Sequence, residues 1–430
     1  MRQKNARLKY PAVFFILPAL FMFSCGDIKT VQIWTDRPEF ALYGEYFNTV
    51  QDQYKVSVRY MEYPVSVLNR TNSPDIIIAS WLKNSSTETY FKSLNNLFGT
   101  KKLSRSIFYP RLLAIGRIDR NQYLIPVSFN IPALIFSGGR KNEISNQFTI
   151  DFSEVKKISL EFNAESGGSY TRMGFSPLWN SNFLLTAAFM SGASFREDDA
   201  PQSRETARAS VRIPLAWDSA ALEQSLVFIN EWTNNINTSC QMEEDFTFKY
   251  FFESPERLIQ SGRIFFSFIE SNELFLLGEA AKNIIDFRWI MEQEMIPITE
   301  DMVMLGIPKW SKSQAAARAF IMWFCNIENQ RLLLEYSKTN RINENIFGIC
   351  GGFSALSSVT EQVYPQYYPE LLGRMPPADN LMPPNIMPAN WATIKEKVIL
   401  PYLSERARSE SADSLYPLER RVSDWVRINR

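Results

Sequence analysis

No histidine occurs anywhere in the 430 residues. Serine–histidine–aspartate and cysteine–histidine nucleophile pairs are therefore excluded, and so is the commonest ligand of a catalytic zinc. Carboxylates, four cysteines and a large aromatic set of 10 Trp, 17 Tyr and 32 Phe remain to carry any chemistry. Most of these read as core, but tryptophan in excess also suits flat apolar ligand faces. Two carboxylates placed across one glycosidic bond would suffice for hydrolysis, but no spacing in the sequence pairs them. There is no phosphate-binding glycine loop and no metal-ligand spacing, so neither cofactor nor metal is expected. Lysine plus arginine equals aspartate plus glutamate at 46 each, which gives no attraction for nucleic acid.

The cysteines differ in setting. Cys25 closes the stretch "PALFMFSCGDIK", where an apolar run turns polar at once. Arg2, Lys4, Arg7 and Lys9 precede a nearly apolar segment from Tyr10 to Phe23, the layout of a secretory signal. The run is short of the ~20 apolar residues that a spanning helix needs. Instead of a small-residue cleavage site it ends in "MFSC", which resembles the lipobox of bacterial lipoproteins, with Met22 and Phe23 where Leu and a small residue are commoner. That resemblance implies a signal peptide over 1–24, lipidation at Cys25, and an exported, membrane-tethered, periplasm-facing protein of the cell envelope. An uncleaved N-terminal anchor is the competing reading. Cys325, inside "FIMWFCNI", reads as a buried thiol. Cys240 and Cys350 could pair in an exported protein, though the sequence does not show that they meet.

The elements that must position these groups alternate strand and helix. "TVQIWTD" alternates like a strand, and Phe40, Tyr43, Phe47 and Val50 then recur at helical spacing. "KVSVRYME" puts Val56, Val58 and Tyr60 on one face of a second strand, and "DIIIAS" reads as a strand buried on both sides. This βαβ beginning predicts an α/β fold. "YLIPVSFNIPALIFSGG" reads as two extended pieces. Helices are expected on Phe152, Val155 and Phe162, over "SNFLLTAAFMSGASF", and on Leu222, Leu226, Ile229 and Trp232 after an Asp218 or Ser219 cap. "GRIFFSFI", "DFRWIMEQ" and "MVMLGIP" read as strands. "SKSQAAARAFIMWFCNIENQRLLLEY" reads as the longest helix, "REDDAPQSRETARAS" as an exposed insertion, and "WATIKEKVILPYLSERA" as helical.

In that order the segments resemble bacterial extracellular solute-binding proteins of the carbohydrate type, the receptors of ABC importers. "VQIWTD" is similar to the family's first strand, "SPDIIIAS" to its proline–aspartate strand, and "YLIPVSFNIPALIFS" to the first crossing between lobes. "TIDFSEVKKIS", "SGRIFFSFIES" and "IPKWSKSQAAARAFIMWFCNIENQRLL" match later family segments. The resemblance runs from about Val31 to the end. It implies a two-lobe fold with a hinge and an interlobe cleft, with lobes over 25–131 plus 271–335 and over 132–270 plus 336–430. Open α/β sheets bind ligands beyond the carboxyl ends of their strands. The candidate ligand-binding residues are accordingly Trp34, Asp36, Ser80, Trp81, Asn130, Trp179, Glu270, Asn272 and Trp391. Trp34 reads equally as plain core and Asp36 as a helix initiator, while Trp217 and Trp232 read as packing.

The expected function is capture of a small solute, a mono- or oligosaccharide, and its delivery to the permease subunits of an importer, without catalysis. The alternatives are an envelope glycosidase, which needs a paired set of carboxylates, and a surface adhesin, which needs no closing cleft.

Overall fold

Strand β1 (Lys29–Thr35) buries its second half, and helix α1 (Phe40–Val50) buries Phe40, Tyr43 and Phe47 along one face. Both belong to a computed structural model that describes residues 29–99, 102–198, 214–409 and 416–429. The expected signal peptide, Cys25 and most of the charged insertion lie outside the described residues. Strand β2 (Tyr54–Tyr60) buries Val56 and half-buries Val58, but Tyr60 is 61% exposed. The expectation of three buried residues fails at Tyr60 because β2 is an edge strand. Strand β3 (Ile76–Ser80) is buried at every position.

Strands β4 (Ile125–Phe129) and β5 (Pro132–Ser137) follow, then β6 (Thr149–Ile150). Helix α2 (Phe152–Phe162) is capped by Asp151, whose carboxylate accepts from Glu154 N at 2.8 Å. Helix α3 (Ser181–Met190) precedes α4 (Ser219–Asn235), where Asp218 accepts from Ala221 N at 2.9 Å and Leu222, Leu226, Ile229 and Trp232 are buried. Next come α5 (Cys240–Tyr250), β7 (Ser267–Glu270), β8 (Ile285–Ile290) and β9 (Val303–Gly306). The run expected as the longest helix is two, α6 (Gln314–Phe324) and α7 (Ile327–Thr339). The break has a local cause: Asn326 is extended and its side chain caps α7, accepting from Asn329 N at 3.1 Å. Helix α4, at 17 residues, is longer than either. Strand β10 (Phe353–Ser354) and helices α8 (Leu400–Arg408) and α9 (Leu418–Ile428) complete the set used below. No helix among the described residues is long and apolar enough to cross a membrane. Cys240, Cys325 and Cys350 are free thiols, Cys325 and Cys350 being buried.

The strands form two main sheets. The first runs β10-β4-β9-β3-β1-β2, with β1 parallel to both β2 and β3 and β9 antiparallel to β3 and β4. The second runs β7-β5-β8-β6, with β5 antiparallel to both neighbours. This membership shifts the expected lobe boundaries. Residues 285–290 lie in the second sheet, because β8 pairs with β5 from Ile285↔Ser137 to Trp289↔Ala133, and residues 353–354 lie in the first. Sequence-local patterns cannot reveal such distant pairings. Alternate residues of β5 face different cores: Ala133 and Ile135 join the larger one, Leu134 and Phe136 that of the second lobe.

One knot holds the crossings between lobes. Asn130 donates from Nδ2 to Gly351 O at 3.0 Å, accepts at Oδ1 from Ser271 Oγ at 2.7 Å, and accepts at its carbonyl from Thr299 N at 2.9 Å. Gly352 fits there because a Cβ would stand 2.7 Å from Phe129 O. A second tie is Asp75, which accepts from Gln32 N, Ser311 Oγ, Lys312 N and Ser313 N at 2.8–3.1 Å and so joins β1 to the start of α6. Replacing Asp75 by Ala strands buried donors and removes a charge from a helix start. Asp75→Ala should destabilise the chain by about 2–4 kcal/mol, read from chemical denaturation.

Candidate functional site

Strand β1 has parallel neighbours on both edges, so the chain leaves it toward β2 on one side and reaches β3 on the other. Such a reversal opens a crevice at the carboxyl ends of the strands. A cavity of about 450 Å³ lies there. Asp36 ends β1, while Ser80 and Trp81 end β3; Glu62, Tyr63 and Ser66 come from the loop after β2. Asn84, Ser86 and Tyr90 extend the same wall, and Ala389, Asn390 and Thr393 face it from the second lobe.

Trp81 is held in an unusual conformation. Its φ of 53° lies in the left-handed region, which a bulky residue occupies only when its surroundings impose it. The loop that follows supplies the constraint. Asn84 N donates to Thr87 Oγ1 at 2.8 Å, Asn84 Nδ2 donates to Trp81 O at 3.3 Å, and Asn84 Oδ1 accepts from Ser86 N at 2.9 Å. The half-buried indole thus forms part of the cavity wall while its buried Nε1 has no hydrogen-bond partner among the described residues. Ser85, in the same loop, reaches the other lobe: its N–H and hydroxyl donate to the two carboxylate oxygens of Glu197 at 2.6 and 2.7 Å.

Carboxylates cluster at and behind the wall. Asp36 accepts from Ser80 N at 3.3 Å and faces Arg37 Nε at 3.2 Å. Burial nonetheless raises its pKa, outweighing Arg37. Arg37 Nη2 donates to Ser80 Oγ, which donates to Asp301 O, both at 2.5 Å. Beside them Glu300 accepts from Lys395 Nζ at 2.5 Å and from Trp391 Nε1 at 3.3 Å. Burial works to discharge Lys395, but Glu300 reverses the effect and its pKa is raised. Burial, then Asp301 and Glu300, push the Glu270 carboxyl up to about 8, with Lys395 opposing.

The expected site residues divide accordingly. Asp36, Ser80 and Trp81 come together in the cavity wall. Trp34 and Trp391 do not. At 3% and 0% exposure they are core residues, Trp34 in the larger core and Trp391 in that of the second lobe. Asn130 is spent on the crossing knot. Trp179 packs at 5.9 Å on Phe246 and 4.7 Å on Phe251, away from the cavity lining. Glu270 belongs to the carboxylate cluster, and half-buried Asn272 accepts from Glu273 N at 3.0 Å. Neither is among the residues lining this cavity. Sequence reasoning missed Glu62, Tyr63, Asn84, Tyr90, Asn390 and Thr393. The rule of looking just past each strand would have found Glu62 and Tyr63 after β2.

No protein-family model and no curated protein matches the chain. Solved structures do. An ABC substrate-binding protein from Listeria monocytogenes in complex with cycloalternan superposes with a TM-score of 0.60 at 13% identity, over 94% of this chain and 99% of that one. The cyclic α-maltosyl-1,6-maltose binding protein of Arthrobacter globiformis gives 0.58 at 15%, over 93% and 100%. The GacH receptor of Streptomyces glaucescens, solved unliganded and with acarbose, gives 0.56 at 16%, over 93% and 98%. The chain therefore has the two-lobe α/β fold seen in carbohydrate-type substrate-binding proteins.

Two predictions separate wall from core and test the carboxylate cluster. Trp81→Ala should leave the melting temperature nearly unchanged, whereas Trp391→Ala should cost about 3–5 kcal/mol of stability; equal losses would place both in the core. Glu270 has a folded pKa above its ordinary 4.5, so between about 4.5 and about 8 the folded chain keeps a proton that the unfolded chain releases. Stability from this group is thus lost as pH rises across that window. Buried Glu243, pushed up to about 7, adds to the same slope. Glu270→Gln should raise the melting temperature at pH 8, change it little at pH 5, and flatten the profile between.

Proposed function

We propose that this protein is a non-catalytic receptor that captures a small sugar between its lobes and delivers it to the permease subunits of an ABC importer. The observation that carries the reading is the cavity at the switch point of β1 and β3, walled by both lobes and presenting Trp81 and Tyr90 beside Ser66, Asn84, Asn390 and Thr393. Aromatic faces stack on the apolar side of a pyranose, and short polar side chains exchange hydrogen bonds with its hydroxyls. The sugar-bound neighbours of like fold support the same ligand class. Attachment through lipid on Cys25 would hold such a receptor at the membrane, since acyl chains with a second anchoring signal give stable tethering. The absence of histidine from the sequence argues against turnover.

Ligand should bias the lobes toward closure to the extent that it prefers the closed arrangement. At ~100 times the dissociation constant the added stability is about 2.7 kcal/mol, visible as a rise in melting temperature with a smaller radius of gyration, and the sugar should return intact. Recovery of cleaved sugar would support a glycosidase instead. Removing the interlobe contact with Glu197→Ala should weaken binding about 3- to 5-fold if the contact belongs to the ligand-bound arrangement, because Glu197 joins the lobes without lining the cavity. Cys25→Ser should release the protein from the membrane fraction or stall its processing.

A further inference from the structure

We propose that the solute taken by this cavity carries a protonated amine, as an amino sugar or an amine-bearing oligosaccharide does, in preference to a neutral or acidic sugar. This rests on the receptor reading above and narrows it to a chemical class. The chain as a whole is balanced, with 46 basic and 46 acidic residues, but the cavity is not. Among the described residues Asp36 and Glu62 line it, and no lysine or arginine does. The cations behind the wall are already engaged. Arg37 bonds Ser80 and faces Asp36, and Lys395 is paired with Glu300. Asp301 adds negative charge behind Asp36, and Glu396 adds it beside the Tyr63 hydroxyl that Glu62 also faces.

Three features of the lining suit a cation. Asp36 Oδ1 is buried and, apart from the Arg37 Nε that it faces at 3.2 Å, meets no hydrogen-bond donor among the described residues. Glu62 is exposed at the mouth, beside the Tyr63 hydroxyl. The Trp81 and Tyr90 rings offer the electron-rich faces that attract ammonium groups. An acidic sugar would meet two carboxylates with no basic side chain in the wall to balance it. A neutral one would fit the aromatic wall but leave the excess charge unanswered.

The test uses matched sets on the full-length protein. Glucosamine, glucose, N-acetylglucosamine and glucuronate, with their galacto counterparts and short oligomers, are compared by calorimetry at low and high salt. The amine-bearing member of a set should bind at least about 10-fold tighter than its neutral, acetylated and acidic partners, with the preference shrinking in high salt. Glu62→Gln, at an exposed position that leaves folding undisturbed, should cut that preference about 3- to 5-fold, and Asp36→Asn should cut it further. A neutral, acetylated or acidic member that binds as tightly as the amine overturns this inference and leaves the receptor reading standing. So does a preference unchanged in both variants. If no sugar binds at all, the receptor reading falls and takes this inference with it.

Discussion

Strand β1 pairs in parallel with a neighbour on each side, and this double pairing shapes the rest of the first lobe. Parallel partners cannot be joined by a tight turn, so the chain must travel through α1 to reach β2 and then cross to the opposite edge for β3. The loops after β2 and β3 flank the carboxyl ends where the two routes part, and the crevice between them is the cavity that Asp36, Ser80 and Trp81 line. The register Thr35↔Ile78 sets Asp36 close to Ser80, so the two groups meet without any local sequence relation. Trp81 follows at once and must turn away from β3, which accounts for its left-handed backbone and for the bracing by Asn84 and Thr87. A strained aromatic held by its neighbours is pre-set for contact and loses little freedom when a ligand arrives.

The second constraint is the crossing knot. Asn130 binds Ser271, Thr299 and Gly351, residues from three later passages of the chain. A single residue, with both side-chain amide groups and its backbone carbonyl used, therefore ties the crossings into one unit. Motion between lobes then becomes a pivot of two packed bodies rather than a loosening of either. The contact of Ser85 with Glu197 lies in the same loop as Trp81, so one short segment carries both a cavity-wall residue and a tie to the second lobe.

Much of this was legible in the sequence, and the limits have physical causes. Buried strands and amphipathic helices announced themselves through periodicity, which gave β3, α2 and α4 close to their observed bounds. The lobe boundaries did not, because β8 joins the second sheet by pairing with a strand far away in sequence. The tryptophans were harder still. Trp34, Trp81 and Trp391 each stand at a strand end or in a polar loop, and only the backbone decides which way the indole points. Trp391 shows the geometry plainly. In the helical run that begins there, Asn390 and Thr393 lie three apart and face the cavity, while Trp391 and Ile394 lie three apart and face the core. The polar flanks read as signs of a binding tryptophan were themselves the cavity residues.

Electrostatics ties these parts together at the third crossing. Glu300 and Asp301 follow Thr299, which is held by the knot. Asp301 receives Ser80 from the first lobe, and Glu300 receives both Lys395 and Trp391 from the second. Adjacent residues thus accept contacts from both lobes. Burying that much negative charge costs stability, as the raised pKa of Asp36 and Glu270 indicates, and groups perturbed in this way concentrate where a protein does its work. Arg37 and Lys395 offset only part of the cost, and each is oriented by the crossing it stabilises. A charge brought to Asp36 would act on Arg37 and Ser80, and through Ser80 on the segment that also holds Lys395. The same few residues therefore set the electrostatic character of the cavity and the mechanical link between the lobes.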